Sequence, residues 1–486
     1  MTMDSRNRWL ALIVLCLGDL MIVLDGTIVN VALPSIRDDL GFSQASLAWV
    51  VNGYLLTFGG FLLLGGRLGD LFGYRRLFLS GITLFTLASL ACGLATSQAM
   101  LVAARAVQGT GAAVVSAVAL SLLMVMFTEP AERAKAMGVF GFVLSGGGAL
   151  GVLLGGVLTD VLDWHWIFLV NIPVGIGVFA LSRALLPQGG GAAATGRLDF
   201  AGAVTATGSL MLAVYAIVNG NEVGWVTGRT IGLLAASAGL LAAFLVVEAR
   251  VASPLMPLGL FRNRDVSAAN VVGVLMAGGM FAWFFFSALY LQQILGYSPL
   301  EVGLAYLPSM VLWGASSLFL SDRLVMRFGV KMPLVAGMLL MVLSLALFAR
   351  TPVDGSFALD ILPATIPLAL GAGIAFNPLL LAAMGGVEPS QSGLASGVVN
   401  TAFMMGGALG LAVLASLADS RTETLRDGGD SALAALNGGY HLAFLVGAVF
   451  AIAAAVVGAV LLRPGAPAAA HEGEERIDAA PAAEPL

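Results

Sequence analysis

The chain has 486 residues, of which 59% are hydrophobic and only 10% are charged. A soluble domain carries about 25% charged residues, so this chain cannot cover its apolar residues with a polar shell. An ordinary soluble protein is therefore excluded, and the lipid bilayer is the expected solvent. Backbone groups in lipid must be hydrogen-bonded within the protein, and the long apolar runs favour helices over the short alternating strands of a barrel.

Apolar runs separated by charged or turn-rich segments predict fourteen membrane-spanning helices, each built from roughly 20 apolar residues. The first run is too long for a signal-peptide core and lacks a clear cleavage site, so we expect it to be retained. Cys16 and Cys92 both lie in apolar runs, which excludes a disulfide framework. The predicted spans are 9–32, 46–65, 77–96, 99–125, 136–159, 166–186, 200–219, 230–249, 268–292, 302–321, 332–349, 361–384, 392–417 and 440–462.

Basic residues in the connections predict the orientation. With the N-terminus in the cytoplasm, seventeen of the 23 lysines and arginines fall on the cytoplasmic side and five on the outer side. Both termini of this multi-pass cell-membrane protein are then cytoplasmic. The remaining basic residue, Arg105, lies within a span. Residues 463–486, rich in Ala, Pro and Glu, have no apolar face to bury and are predicted to form a disordered cytoplasmic tail.

A short sequence recurs in two of the connections. Four residues of Arg67–Gly73 reappear in Arg323–Gly329, each 256 residues later. Both copies join the second and third helices of a six-helix unit, and homologous halves around a central site are the architecture of alternating access. The predicted organisation is a cytoplasmic N-terminus (1–8), an N-terminal six-helix half (9–186), two inserted helices with their connections (187–265), a C-terminal six-helix half (266–462) and the tail.

Asp25 and Arg105 are the candidates for proton coupling. An ionised carboxylate inside a span costs about 2.5–3.5 kcal/mol, so its presence in span 1 indicates a task. The helical rise places Asp25 roughly 11 Å and Arg105 roughly 9 Å from the outer side, at one level. We expect a proton-dependent ion pair. Two alternatives stay open: a static pair that locks spans 1 and 4, or a carboxylate bonded to backbone at a helix break beside Gly26.

Asp19 is a second carboxylate near the middle of span 1. It lies about 240° round the helix from Asp25, so the two residues do not share a face. In one interpretation, Asp19 attracts cationic cargo or carries a second proton. In the other, it bonds to a neighbouring helix.

Several motifs occur in order on the predicted spans. They are Leu24–Pro34 in span 1, Gly66–Arg76 after span 2, Arg105–Gly109 in span 4, Trp164–Pro173 entering span 6 and Leu291–Pro299 after span 9. With these motifs the chain resembles the fourteen-span drug:proton antiporters of the major facilitator superfamily, which export multiple drugs or antibiotics. The resemblance runs from Leu24 to about Leu462. It implies the major facilitator fold and a substrate cavity between the halves that opens alternately to each side, with protons moving opposite to cargo.

The resemblance also implies a cytoplasmic gate after span 2. The plainer alternative is that its glycines form a tight turn and its arginines set the topology. The first copy of the repeat has an aspartate, Asp70, that the second copy lacks, which favours an added gate in the first copy. The gate residues are Gly66, Arg67, Gly69, Asp70, Gly73, Arg75 and Arg76.

Span 5 carries a ladder of small residues. The related family usually has a Gly-Pro step here, but in this chain Gly151 is followed by Val152. Small-residue repeats let helix backbones approach closely in membranes, so simple packing and a sliding or hinge contact are both open. The ladder is Gly147, Gly151, Gly155 and Gly156.

A further set of polar or amphipathic residues within or near the spans could line a substrate cavity. An apolar cavity with a few such groups suits amphiphilic cargo. Interhelical hydrogen bonds and interfacial anchoring are the alternatives for most of them. The set is Asn30, Trp49, Asn52, Tyr54, Gln108, Asn171 and Gln292.

The sequence therefore predicts a proton-coupled exporter of small organic molecules: an antibiotic or multidrug efflux pump, or a dedicated exporter of an antibiotic made by the producing organism. The alternatives are an uptake symporter of the same fold and a membrane receptor or enzyme. No metal-ligand spacing, nucleophile motif or phosphate-binding loop is found in the sequence. We expect no enzymatic activity, cofactor, metal, ATP or nucleic acid. The expected partners are a small-molecule substrate, protons and the lipid bilayer.

Overall fold

The computed structural model describes residues 5–187, 199–251, 254–388 and 391–463. These residues contain fourteen helices long and apolar enough to cross a membrane and no strand, which confirms the predicted all-α class. Both the connection 188–198 and the predicted tail after Arg463 lie outside the described residues. The helices are α1 (Ser5–Leu40), α2 (Ala48–Phe72), α3 (Tyr74–Gly93), α4 (Gln98–Met126), α5 (Pro130–Val161), α6 (Trp166–Leu185), α7 (Phe200–Val223), α8 (Gly228–Arg250), α9 (Arg264–Ile294), α10 (Pro299–Phe328), α11 (Lys331–Phe348), α12 (Phe357–Met384), α13 (Ser392–Asp427) and α14 (Ala432–Leu461).

Some helices continue well beyond the predicted spans. α1 runs through Pro34 to Leu40, and α13 runs to Asp427, ten residues past its predicted end. Both extensions contain charged residues. Hydropathy marks the part of a helix that lipid can surround, whereas the helix itself continues for as long as its backbone hydrogen bonds do.

The sequence predicted a loop at Gly66–Arg76, and this prediction is wrong because nearly all of the segment is helical. α2 continues to Phe72 and α3 begins at Tyr74, so Gly73 alone connects the two helices. Its φ of 90° lies in the region that favours glycine. The repeat copy turns in the same way, with Gly329 at φ 71° directly after α10. The recurrence in sequence is thus a recurrence of one sharp helix-to-helix turn.

Side-chain caps begin several of the helices that follow short connections. Ser97 accepts a hydrogen bond from the Met100 amide at the start of α4, and Thr227 does the same for Thr230 in α8. At α10, Ser298 and Glu301 form a reciprocal capping box. Each cap satisfies donors that a helix start leaves open.

The helix contacts repeat between a first set (α1–α6) and a second set (α9–α14). α2 packs on α4 as α10 packs on α12, and α1 packs on α5 as α9 packs on α13. Between the sets, α2 packs on α13 and α10 packs on α5. The two inserted helices, α7 and α8, pack on each other, and α7 also contacts α2 and α13. The division into two halves and an inserted pair stays a prediction. The helix contacts above have the repeated pattern that two similar halves would have.

The two sets meet at the end of the bundle that carries the α1–α2 connection. A Cβ atom on Gly156 of α5 would lie 2.6 Å from the Pro299 carbonyl oxygen at the start of α10. Toward the opposite end, α5 and α10 carry glycines whose Cβ positions have no described heavy atom within 4 Å, among them Gly138, Gly141 and Gly314. The bundle is therefore closed at the first end, and α5 and α10 separate toward the other.

Candidate functional site

An ion pair lies buried inside the first helix set. Arg105 of α4 donates from Nη1 to Oδ2 of Asp25 on α1 over 2.5 Å. Their side chains are 1% and 0% exposed. The structure thus brings together the two residues that the sequence places at one membrane level. Their role in proton coupling stays a prediction.

The second oxygen of Asp25 is held by two side-chain amides. Gln108 donates from Nε2 to Asp25 Oδ1 over 2.7 Å, and Asn171 of α6 donates from Nδ2 over 3.0 Å. Gln108 also accepts from Arg105 Nη1 over 2.6 Å and donates to Ser89 Oγ of α3 over 2.8 Å. Gln108 therefore presents its oxygen to the cation and its nitrogen to the carboxylate.

Arg105 has partners other than Asp25. Its Nε donates to the Val50 carbonyl of α2 over 2.9 Å. Its guanidinium carbon lies 4.3 Å from the ring centre of Tyr54 and 5.6 Å from that of Phe168. Aromatic faces attract a cation, with the larger effect when it is desolvated. The cluster therefore joins α1, α2, α3, α4 and α6 around one guanidinium.

This geometry makes each partner of the pair dependent on the other. A buried charge that loses its counter-charge is uncompensated, and breaking such pairs costs about 3–5 kcal/mol. Protonation of Asp25 would remove the negative charge without removing the side chain. Arg105 would then keep the Val50 carbonyl, the Gln108 oxygen and the Tyr54 ring.

Asp19 lies outside this cluster. Ser116 of α4 donates to its Oδ1 over 2.7 Å, whereas its buried Oδ2 has no hydrogen-bond partner among the described residues. Asp19 and Asp25 point from different faces of α1, yet both contact α4. Both contacts are possible because the two α4 side chains differ in length. The long Arg105 side chain reaches between several helices to Asp25, whereas the short Ser116 side chain bonds Asp19.

The glycines of α5 lie against two different helices. Cβ atoms on Gly147 and Gly155 would lie 2.9 Å from Leu20 and 2.7 Å from the Ile28 carbonyl oxygen, both of α1. Gly151 between them faces Thr27 and the Leu24 carbonyl. Gly156 instead faces the start of α10. The ladder thus packs α5 closely on α1, and one further glycine packs it on the second set.

The predicted gate residues lie around the α2–α3 turn. A Cβ atom on Gly69 would lie 2.7 Å from the Tyr74 ring, whereas Gly66 has open space beside it. Arg75 donates to the Arg183 carbonyl of α6. Arg67 is half-buried and Arg76 is exposed, and the side chain of Asp70 lies outside the described part of the structure.

The predicted cavity residues fall into separate groups. Tyr54, Gln108 and Asn171 belong to the ion-pair cluster. Asn30 donates to carbonyls of its own helix, and Gln292 of α9 donates to the Val31 carbonyl of α1 over 2.8 Å.

Two others stand apart from these. Trp49 is half-buried, with its ring centre 6.4 Å from that of Tyr215 on α7. Asn52 is fully buried, and neither polar atom of its side chain has a hydrogen-bond partner in the described chain. Asn52 is thus a buried amide of α2 without a hydrogen-bond partner among the described residues.

Sequence reasoning missed several members of these contacts. Ser89 is one small hydroxyl in an apolar helix, and a backbone carbonyl such as that of Val50 leaves no mark in a sequence. Gln44 and Tyr440, whose side chains form a hydrogen bond with each other, were missed for another reason. They come from distant parts of the chain and meet only where the two helix sets close.

A fourteen-span helical bundle with repeated packing and a charged pair buried in one set defines a membrane transporter of the major facilitator fold. The chain belongs to the Major Facilitator Superfamily, whose family model matches residues 15–411. It is therefore a multi-pass membrane protein of a transporter family rather than an enzyme family.

Curated relatives extend over almost the whole chain. The chain is 41% identical over 461 residues to the puromycin resistance protein of Streptomyces alboniger, covering 94% of this chain and 91% of the relative. It is 40% identical over 469 residues to the cephamycin export protein of Amycolatopsis lactamdurans, covering 95% and 94%. Among solved structures, a bacterial homologue of the human lysosomal transporter Spinster matches with a TM-score of 0.66 at 16% identity, covering 94% of this chain and 98% of that one. This last likeness shows the fold alone.

Proposed function

We propose that this protein is a proton-driven exporter of small organic molecules in the cell membrane, with both termini in the cytoplasm. The observation that carries the proposal is the buried Asp25–Arg105 pair, a titratable group built into the first helix set of a transporter fold. The relatives support the direction of transport, because one is named for resistance to puromycin and another for export of cephamycin. An antibiotic is therefore the expected cargo.

Asp25 carries the coupled proton in this proposal. In the described state the ion pair is closed, and the helix sets meet at the end that is outer in the predicted topology. Opening that end gives Asp25 access to protons from outside. A protonated Asp25 no longer balances Arg105, so the cluster loosens and the pair re-forms when the proton leaves to the cytoplasm. Gln108 and Asn171 can hold Asp25 in both forms, since an amide presents a donor and an acceptor.

The driving force suffices for an exporter. One elementary charge across 100 mV corresponds to about 2.3 kcal/mol, and about 1.4 kcal/mol is a factor of ten. One coupled proton can thus maintain a roughly fiftyfold cargo gradient by that arithmetic. Cargo would pass between the first and second helix sets, where Asn52 offers an unpartnered amide to a polar group.

The experiment is a proton-gradient measurement in inside-out membrane vesicles. The interior is first made acidic, and puromycin or a cephamycin is then added outside. Export by antiport moves compound in and protons out, so the gradient should collapse with the unmodified protein and not with Asp25→Asn. Asp430→Asn, which changes an exposed carboxylate, should behave like the unmodified protein.

The other outcomes are equally informative once purified Asp25→Asn shows a normal thermal transition. Equal collapse with Asp25→Asn would remove this residue as the proton carrier. An uptake symporter would carry protons inward with the compound, so compound entry without collapse would overturn export by antiport. That alternative keeps some support from Val152, which stands where the related exporters usually have a proline.

A further inference from the structure

A second pair of carboxyl groups lies far from the ion-pair cluster, at one end of the inserted helices. Asp199 directly precedes α7, and Glu248 lies in the last turn of α8. Both residues are 3% exposed. Buried carboxylates are expected to pair with basic groups or metals. In the described part of the chain, neither residue has a basic partner within ion-pair distance.

Each carboxyl group uses one oxygen for a backbone donor. Asp199 Oδ1 accepts from the Gly202 amide over 2.7 Å and caps α7. Glu248 Oε2 accepts from the Met256 amide over 3.1 Å, which ties the segment after α8 to the helix end. The remaining oxygens, Asp199 Oδ2 and Glu248 Oε1, are buried without a hydrogen-bond partner in the described chain.

The two unpartnered oxygens point into the same small space beside Gly202. A Cβ atom on Gly202 would lie 2.6 Å from Asp199 Oδ2 and 2.8 Å from Glu248 Oε1. The two oxygens are therefore no more than 5.4 Å apart. Glycine leaves this space open, and any side chain would push the carboxyl groups apart.

We propose that Asp199 and Glu248 form a proton-binding site in which one shared proton joins Asp199 Oδ2 to Glu248 Oε1. Two buried carboxylates this close disfavour each other's charged form, and a shared proton converts their repulsion into a hydrogen bond. One group becomes a carboxylic acid that donates, and the other stays a carboxylate that accepts. The net charge of the pair falls from −2 to −1.

A proton fits this site better than a metal ion. No third His, Cys, Asp or Glu joins the pair among the described residues. Two carboxylates are few ligands for a hard cation such as calcium, which takes 6–8 oxygens. Arg250 at the end of α8 and Arg262 before α9 form no ion pair with either carboxylate among the described residues.

The site links the inserted pair to the predicted gate region. Leu255, next to Met256, packs with Ala203 of α7 and Leu64 of α2, and Leu68 borders this group. In the predicted topology this end faces the cytoplasm. Loss of the shared proton would repel Glu248 from Asp199 and loosen the segment that leads to the second helix set. The inserted helices thus contain a cytoplasmic pH-sensitive latch, which functions whether or not Asp25 carries the transported proton.

Infrared spectroscopy and thermal unfolding of the purified full-length protein test the site. Glu248→Gln mimics the protonated acid, because its amide accepts from Met256 and donates to Asp199. Asp199→Asn keeps a good helix cap. The unmodified protein at about pH 6 should show a C=O band of a neutral carboxyl group that both variants lack. Asp430→Asn should leave that band unchanged.

The unmodified protein should also lose thermal stability from about pH 6 to about pH 9, and in Glu248→Gln this loss should shrink to about half or less. Identical bands and identical pH dependence in the unmodified protein and both variants would overturn the proposal. Stabilisation by sodium, potassium or magnesium, without the neutral-carboxyl band, would overturn it in favour of a metal cation. None of these measurements uses transport, so they succeed or fail independently of the proposed export.

Discussion

At the scale of single residues, Arg105 holds the buried cluster through the shape of its side chain. A guanidinium is planar, carries five N–H donors and stacks on aromatic rings. Arg105 uses these properties together, on Asp25, Gln108, the Val50 carbonyl and the Tyr54 ring. A lysine ammonium could keep the charge opposite Asp25 but could not make the other three contacts at the same time.

Arg105→Lys should therefore lower proton-coupled transport by roughly tenfold or more while the protein still folds. The reason is that the ion pair alone would survive, without the contacts that position the cation when Asp25 is protonated. Compound-driven proton movement in vesicles measures the effect. Arg229→Lys, at an exposed residue that donates to the Tyr215 hydroxyl, is the matched control. Transport within about twofold of the unmodified protein would show that charge alone matters.

At the scale of helices, α5 depends on the absence of side chains. Its glycines recur on one face and bring its backbone against α1 beside Asp25. Val152 takes the place of a kinking proline, and α5 accordingly runs without a break from Pro130 to Val161. Close packing, rather than a bend, is the property of this helix that the structure shows.

Gly151→Ala should destabilise the protein by about 1–3 kcal/mol, because the new methyl group would overlap Thr27 and the Leu24 carbonyl. Gly148→Ala is the matched control, since its Cβ position is free of described atoms within 4 Å. That change should be neutral or stabilise by about 0.5–1 kcal/mol through helix propensity. Thermal unfolding in detergent measures both. Equal transition temperatures would show that the α1–α5 contact relaxes easily.

At the scale of the whole molecule, a hydrogen-bonded group closes one end between the helix sets. Gln44, in the α1–α2 connection, donates to the Tyr440 hydroxyl of α14 over 2.6 Å. Tyr440 in turn donates to Gln293 Oε1 of α9 over 3.0 Å. The Gln44–Tyr440 and Gln292–Val31 bonds join the two helix sets and must break before the end can open, whereas the Tyr440–Gln293 bond lies within the second set. The two bonds between the sets stabilise the described state against its alternative.

Tyr440→Phe should shift the protein toward the state open at that end. Only the bond from Gln44 joins Tyr440 to the other set, and its loss removes about 1 kcal/mol net, so the open population should rise roughly fivefold. Distances between spin labels on the α1–α2 and α13–α14 connections would report the shift. Tyr215→Phe removes a hydroxyl within the inserted pair and should leave these distances unchanged. An unaltered distance distribution in Tyr440→Phe would mean that apolar packing closes this end.

Much of the architecture follows from local features of the sequence. Hydropathy determined the number and approximate places of the helices, because lipid tolerates only backbone that is hydrogen-bonded within its own segment. The helical rise sufficed to place Asp25 and Arg105 at one level. Helix ends were less accessible, as α1 and α13 show, because polar turns beyond the membrane stay helical.

Only the tertiary structure decided which groups meet. Gln108 and Asn171 meet at the Asp25 carboxylate, and Ser89 binds Gln108. These residues come from three helices, so their meeting depends on the rotation of each helix about its axis. The same holds for Asp199 and Glu248, which lie 49 residues apart and face each other only because α7 and α8 pack with Gly202 beside both carboxyl groups. Hydropathy determines where a helix lies along the membrane normal, but the choice of neighbours arises from close packing between side chains distant in the chain.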